Sequence, residues 1–303
     1  MALPLAYSMF ERTADAERIL GRFEFLTLDG NPGRYLEEAA VTRAGSTELV
    51  DRALPAIASD AGIPEAGFPR FVDTRFPALA AAQRTVPNAH EFSVRYSRQL
   101  TAVEEKFASL YDIPASGLSL AATPWLLLIS GAACLVSGLI ALRSRGRAAL
   151  MTILGLGVAL VVGPLALGAP QKAGDGEDVK DFASRGLTPR AATAARRASA
   201  ALDALVEETS DRTLPTMAGR QAVTETELRR RFSHDYPAAE RLLGEWDEIG
   251  PRLARLSRAV SASVADFESA KKMPMSGPVW LLLGGGVAMG LSAGLALLRS
   301  PQP

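Results

Sequence analysis

At 303 residues, with 33 basic and 33 acidic side chains and a formal net charge of zero, the chain has no global field that would draw nucleic acid or an acidic surface. Its single cysteine, Cys134, excludes an intrachain disulfide framework and a cysteine-based metal centre, and neither of its two histidines, His90 and His234, has a second ligand at metal spacing. The 48% hydrophobic content is unevenly spread, concentrated in three apolar runs.

Residues 11–123 are polar, rich in Ala, Arg and Glu, and read as helices punctuated by prolines. Asn31-Pro32 is an N-cap followed by proline at the first helical position, opening a helix expected to end near Leu54-Pro55. Phe68, Val72 and Phe76 then place an apolar stripe on a short helix. After a break at Val86-Pro87-Asn88, a long helix carries Phe92, Tyr96, Leu100, Val103, Phe107 and Leu110 at the spacing of a coiled-coil seam. The first apolar run, 124–142, and the second, 148–168, are each long enough to cross about 30 Å of hydrocarbon as a helix. They flank 143–147, RSRGR, whose Arg143, Arg145 and Arg147 place that loop in the cytoplasm. A second polar region, 169–277, leads to the third run, 278–298, and a tail, 299–303, that begins with Arg299.

The two polar regions repeat one another at an offset of about 160 positions. Asp51-Arg52 falls on Asp211-Arg212, Leu54-Pro55 on Leu214-Pro215, Phe76-Pro77-Ala78 on Tyr236-Pro237-Ala238 and Phe107 on Phe267. The second copy has its own N-cap at Thr188-Pro189, a capping box at Thr224 and Glu227, and an apolar stripe at Leu228, Phe232 and Tyr236. Its break falls at Ile249-Gly250-Pro251, before a seam of Leu253, Leu256, Val260 and Phe267. Each polar region is therefore expected to be a small antiparallel bundle, 11–123 and 169–277 being two modules outside the cytoplasm. In the same register Pro4-Leu5-Ala6 falls on Pro164-Leu165-Ala166, so 1–10 reads as the remnant of a fourth membrane helix.

Small residues recur at four-residue steps in the apolar runs: Gly286, Gly290 and Gly294; Gly155, Ala159 and Gly163; Ser130, Cys134 and Gly138. Such ridges let helix backbones approach closely and imply packing within the chain, self-association or a membrane-protein partner. No Asp, Glu, Lys, Arg or His interrupts the runs, which disfavours ion or proton transport by this chain alone. No nucleophile motif, phosphate loop or dinucleotide fingerprint occurs. His90-Glu91 and His234-Asp235 read as surface pairs, Arg229-Arg230-Arg231 as a solvated helix face, and Asp51-Arg52 with Asp211-Arg212 as a local ion pair or a helix-end charge arrangement. Trp125 and Trp280 suit the headgroup belt. No catalytic, cofactor-binding or metal-binding residue is assigned, and no cofactor is expected.

The run LPAIASDAG, then FPRFVDTRFPALAAAQ, then DIPASGLSLAATPWLLL ahead of an apolar span resembles a recurrent module of uncharacterised actinobacterial-type integral membrane proteins, with Leu-Pro and Phe-Pro-Ala landmarks before a Pro-Trp-initiated membrane helix. The resemblance covers Leu54 to Leu142 well and the second copy less well, because Tyr236 replaces a phenylalanine. It implies an architecture and a bacterial plasma-membrane setting, and carries over no functional residue. The expected molecule is an all-α integral membrane protein, non-enzymatic, serving as an envelope interaction or scaffold component in contact with the lipid bilayer. The rival readings are a ligand-sensing subunit and a transporter-accessory subunit, each acting through a partner.

Overall fold

The computed structural model describes residues 8–25, 32–87, 106, 123–143, 147–273 and 276–299. Among these, every regular element is helical and no strand occurs. The seam expected at Phe92–Leu110 and the cap Asn31 lie outside the described residues, as does the stretch 1–7.

The helices, in chain order, are α1 (Met9–Phe23), α2 (Pro32–Glu48), α3 (Leu54–Asp60), α4 (Phe68–Arg75), α5 (Thr123–Arg143), α6 (Arg147–Ala166), α7 (Ala169–Gly186), α8 (Pro189–Glu208), α9 (Leu214–Arg220), α10 (Glu225–Asp235), α11 (Pro237–Ala270) and α12 (Gly277–Arg299). Residues 77–87 are also helical. Two compact units result, one of residues 1–24, 103–185 and 265–303, the other of 25–102 and 186–264.

The second unit contains most of both polar repeats, and they share one core. Leu49, Leu54, Ile57, Val72, Phe76 and Leu79 from the first copy form a single buried cluster with Leu202, Leu205, Leu214, Met217, Leu228 and Phe232 from the second. This differs from the expectation of two separate bundles. Helical periodicity identifies an apolar face and does not say which face covers it.

The two polar regions match in backbone detail. The expected helix ends at Leu54-Pro55 and Leu214-Pro215 are not ends: π-turns at Leu49–Ala53 and Thr209–Thr213 carry α2 into α3 and α8 into α9. In each, the amide before the proline bonds five residues back, Leu54 N–H to Leu49 O and Leu214 N–H to Thr209 O. A wider turn moves the carbonyl four residues before the proline away from its ring, so the chain bulges where a regular α-helix would break. Phe76, at φ −135° and ψ 63°, and Tyr236, at φ −134° and ψ 63°, interrupt the helices at the same register position.

After α3 and α9 the chain reverses through a left-handed residue, Gly62 at φ 74° in one copy and Ala222 at φ 52° in the other. Both reversals close with a bond that spans the turn, Ile63 N–H to Ala58 O at 2.9 Å and Val223 N–H to Ala218 O at 3.1 Å. Alanine is strained where glycine is free, so Ala222→Gly is expected to raise stability by about 0.5–1 kcal/mol, read as a shift of the urea midpoint at unchanged slope.

Thr188 caps α8 as expected, its Oγ1 accepting from the Ala191 N–H at 3.1 Å with Pro189 at the first helical position. The expected break at Ile249-Gly250-Pro251 does not occur, because α11 runs through Pro251 for 34 residues. Gly250 removes the Cβ that a following proline ring would strike. In that space sits the Trp246 indole: a Cβ at Gly250 would lie 2.9 Å from its Nε1 and 3.4 Å from Asp203 Oδ1. Burial raises the Asp203 pKa, and its hydrogen bond with Trp246 works against that rise.

In the first unit α6 and α12 cross at glycine. A Cβ at Gly157 would lie 2.8 Å from Gly290 N and 2.9 Å from Gly286 O, and one at Gly286 would lie 2.8 Å from Gly157 O. Gly286 and Gly290 thus belong to a packed ridge, as their spacing suggested. Their partner on α6 is Gly157, whereas a Cβ at Gly155 or Gly163 would meet nothing within 4 Å. The expected α6 ridge is therefore on an open face. The surroundings of Cys134, Gly138 and Gly294 lie outside the described set.

Among the described residues no single helix is long and apolar enough to cross a membrane; one pair, Leu150–Ala166 with Ala169–Gly186, meets that threshold together but bends by 52°. The bend falls at Gly168, at φ 64°. Beyond it α7 carries Lys172, Asp175, Glu177, Asp178, Lys180, Asp181 and Arg185, so the second arm of the pair is a polar helix.

Candidate functional site

Among the described residues a reciprocal polar arrangement lies where the two polar regions meet, and its central residues, Glu48 and Glu208, were not singled out from the sequence. Glu48 ends α2 and its Oε2 accepts from the backbone N–H groups of Ala238 and Ala239, at 2.8 and 2.9 Å, in the first turn of α11. Glu208 ends α8 and its Oε2 accepts from the Leu79 N–H at 3.2 Å, in the first turn of the helical stretch 77–87. The two carboxylates are register mates, and so are the helix starts they hold. Each repeat therefore supplies the anion that satisfies the open N–H groups and positive dipole end of a helix in the other.

The aromatic-Pro-Ala landmarks acquire a reason from this. The proline has no N–H to satisfy at the first helical position, and the residues after it present theirs to the carboxylate. Glu208 is buried, 5% exposed, so its charge needs these partners. On its other oxygen it receives Arg212 at 2.5 Å, and Glu48 receives Arg52 at 3.5 Å. Of the two arrangements expected for these arginines, a pair with the adjacent aspartate or a charge arrangement at a helix end, the structure shows the second, Arg52 and Arg212 each meeting a glutamate one turn back. In an α-helix a residue faces its fourth neighbour and not its first. Arg212 also lies over the Phe76 ring, 5.9 Å from its centroid. Burial is the main cause holding the Tyr236 phenol above its ordinary pKa, reinforced by Asp235 and opposed by Arg52.

Further bonds lock the same contact. Gln221 Nε2 donates to Ile57 O at 3.0 Å, Arg220 Nε to Ala61 O at 3.4 Å, and the Arg220 guanidinium lies 5.7 Å from the Phe71 ring centroid. Between α2 and α11, Arg252 meets buried Glu38, Arg34 meets Glu248 at 3.1 Å and Arg241 meets Glu37 at 3.1 Å. Gly45 permits the approach of these helices: a Cβ there would lie 2.4 Å from Leu242 Cβ and 2.6 Å from Ala238 O.

His234 is exposed in the last turn of α10, and His90 lies outside the described residues. The arginine triplet is a paired surface: Arg229 with Glu225 at 2.9 Å, and Arg230 and Arg231 with Glu227 at 3.0 Å each. Thr224 caps α10 by accepting from the Glu227 N–H at 3.2 Å, while the Glu227 carboxylate turns to the arginines instead of completing the capping box. Hydrogen bonds from Arg230 and then Arg231 lower the Glu227 pKa from 4.5 to about 2. A depressed carboxyl contributes stability above its unfolded value and loses it as pH falls through the folded one. Glu227 is expected to titrate near pH 2 by NMR in the native state, and to move upward when Arg230 and Arg231 are both glutamine; high salt should reduce the shift, since the group is exposed.

Among the described residues no group of three or more His, Cys, Asp or Glu side chains is placed to hold a metal ion. What the surface does present is apolar. Every large hydrophobic side chain exposed among the described residues lies on α5, α6 or α12 or at the end of α6, including Trp125 at 59%, Val158 at 51%, Leu165 at 54%, Trp280 at 63% and Leu291 at 63%. Compared with protein-family models, with curated proteins and with solved structures, the chain has no match.

Proposed function

We propose that the chain is an integral membrane protein of the bacterial plasma membrane, an interaction or scaffold component whose polar repeats lie outside the cytoplasm and arose by internal duplication. The observation that carries the membrane reading is the segregation of exposed hydrophobics onto three helices. Soluble monomers rarely leave contiguous apolar surface of this extent in water. The backbones of α5, α6 and α12 run for 21, 20 and 23 residues, about 30–34 Å at 1.5 Å per residue. Their sequences hold no acidic residue, and their basic residues, Arg143, Arg147 and Arg299, stand at the helix ends. The loop arginines support an orientation with 143–147 inside.

The interaction role is supported by the open face of α6. Gly155, Ala159 and Gly163 are exposed in one line, flanked by Val158 and Val162, while the neighbouring Gly157 is consumed by α12. A second transmembrane helix, from a partner or another copy, can approach that ridge closely. Duplication is supported by the shared landmarks, the paired π-turns and the reciprocal glutamates.

The test is affinity capture of the full chain from a detergent extract after membrane crosslinking. A defined partner or oligomer is expected, lost when Gly155 and Ala159 are both leucine; a solitary monomer with or without those changes overturns the scaffold role. Phosphatase fusions near Asp60 and Arg220 test orientation, and activity at neither site reverses it.

A further inference from the structure

We propose that Asp203 and Trp246 form a proton-sensitive latch on the Gly250-Pro251 segment of α11, one that tightens when the Asp203 carboxylate gains a proton. The proposal concerns only the unit of residues 25–102 and 186–264, and does not rest on the membrane reading.

Glycine followed by proline in mid-helix is a place where helices bend. Pro251 has no N–H to offer the carbonyl of Asp247 four residues earlier, and Gly250 restrains the backbone less than any other residue would. Yet α11 runs through both without interruption. At that weak point sits the Trp246 indole, one turn back on the same helix, with the Asp203 carboxylate of α8 beside it. A Cβ on Gly250 would lie 2.9 Å from the indole Nε1, 3.0 Å from its Cε2 and 3.4 Å from Asp203 Oδ1. The indole N–H donates to the carboxylate, so one hydrogen bond ties α8 to α11 at the glycine. Ile249 and Gly250 are buried there, and Asp203 and Trp246 are half-buried.

The fold does not require this arrangement. At the offset of about 160 positions the mates of Asp203, Trp246, Gly250 and Pro251 are Arg43, Val86, His90 and Glu91. Val86 is buried in the shared core and Arg43 is exposed. The first polar region thus fills the place of the indole with an aliphatic side chain, and carries a cation where the second has Asp203.

Of the charged groups around Asp203, Glu207, one turn further along α8, acts on it by repulsion, and from α11 it meets the uncharged indole. Asp247, next to Trp246 on α11, is exposed. No arginine or lysine among the described residues pairs with Asp203. Burial, reinforced by Glu207 and opposed by the indole bond, holds the Asp203 pKa above its ordinary 3.8. A carboxyl whose folded pKa is raised costs stability when ionised, and that cost is removed as pH falls through the folded value. The proton therefore strengthens the contact.

The test is hydrogen exchange of the purified full chain at about pH 7 and about pH 5, each rate corrected for the intrinsic effect of pH. Amides of 243–256 are expected to exchange more slowly at the lower pH. Asp203→Asn, which keeps an acceptor oxygen for the indole without the charge, should exchange slowly at both and lose the pH response. A wild-type rate that does not change with pH, or an undiminished response in Asp203→Asn, overturns the proposal. If that variant does not fold, tryptophan emission of the chain carrying Trp125→Phe and Trp280→Phe decides, since Trp246 is then its only indole. Emission is expected to titrate with a midpoint above 3.8, and a midpoint at or below 3.8, or no titration, overturns the proposal.

Discussion

Gly45→Ala is expected to destabilise the unit formed by the repeats by about 2–3 kcal/mol, and Gly45→Leu to prevent its folding, although alanine favours an exposed helix over glycine by about 1 kcal/mol. The reason is distance. A Cβ on Gly45 would stand 2.4 Å from Leu242 Cβ and 2.6 Å from the backbone oxygen of Ala238, and the latter cannot rotate away. Moving Ala238 O also moves the Ala238 and Ala239 amides that Glu48 holds. The register makes the same point: the mate of Gly45 is Leu205 and the mate of Leu242 is Ala82, so small faces large in opposite senses in the two copies. Leu205 and Ala82 are both in the shared core. The control is Gly244→Ala in α11, where nothing lies within 4 Å of the added methyl, and where the same substitution should stabilise by up to about 1 kcal/mol. Urea unfolding of both variants gives the two signs; equal effects at the two glycines would contradict the close approach.

Removing either reciprocal carboxylate should cost about 2–4 kcal/mol. Hydrogen bonds to a charged acceptor contribute about 1.5–3 kcal/mol each, and an open helix N-terminus left without its anion forfeits more. Glu48→Ala leaves two amides, those of Ala238 and Ala239, without their acceptor. Glu208→Ala leaves the Leu79 amide and the Arg212 guanidinium. Glutamine at either position keeps an acceptor oxygen but not the charge, so the conservative variants should fall between wild type and alanine. Because each carboxylate sits on one repeat and acts on the other, hydrogen exchange should show the Glu48→Ala variant losing protection at the start of α11 as well as around α2. Loss confined to α2 would mean the contact does not hold the copies together.

How far these features were legible differs from residue to residue. Thr188 and Thr224 were readable because capping is local: a hydroxyl, a proline or carboxylate nearby, and an apolar period beginning. The stripes Phe68, Val72, Phe76 and Leu228, Phe232, Tyr236 were readable because helical period alone selects them, and they do face the core. Proline was misleading at Pro55, Pro215 and Pro251, where the chain bulged or used a glycine neighbour instead of stopping. The packed ridge of α12 was visible in its glycine spacing, but its partner Gly157 was not, because spacing within one helix does not name the helix it meets. Glu48 and Glu208 were hidden for a related reason. Their partners are 190 and 129 positions away in sequence, beyond any local pattern. The one available signal was their identity at the repeat offset, one turn ahead of the conspicuous Asp-Arg pairs. Identity at a repeat offset marks a position and names no partner for it.

The central claim is that three apolar helices hold this chain in a bilayer, and alkaline carbonate extraction of membranes from cells making the full chain tests it most directly. The account predicts that the chain stays in the pellet through carbonate and through about 4 M urea, and enters the supernatant only with detergent. Release by carbonate alone would contradict it, since the hydrophobics exposed on α5, α6 and α12 would then need a protein surface, and not lipid, to cover them.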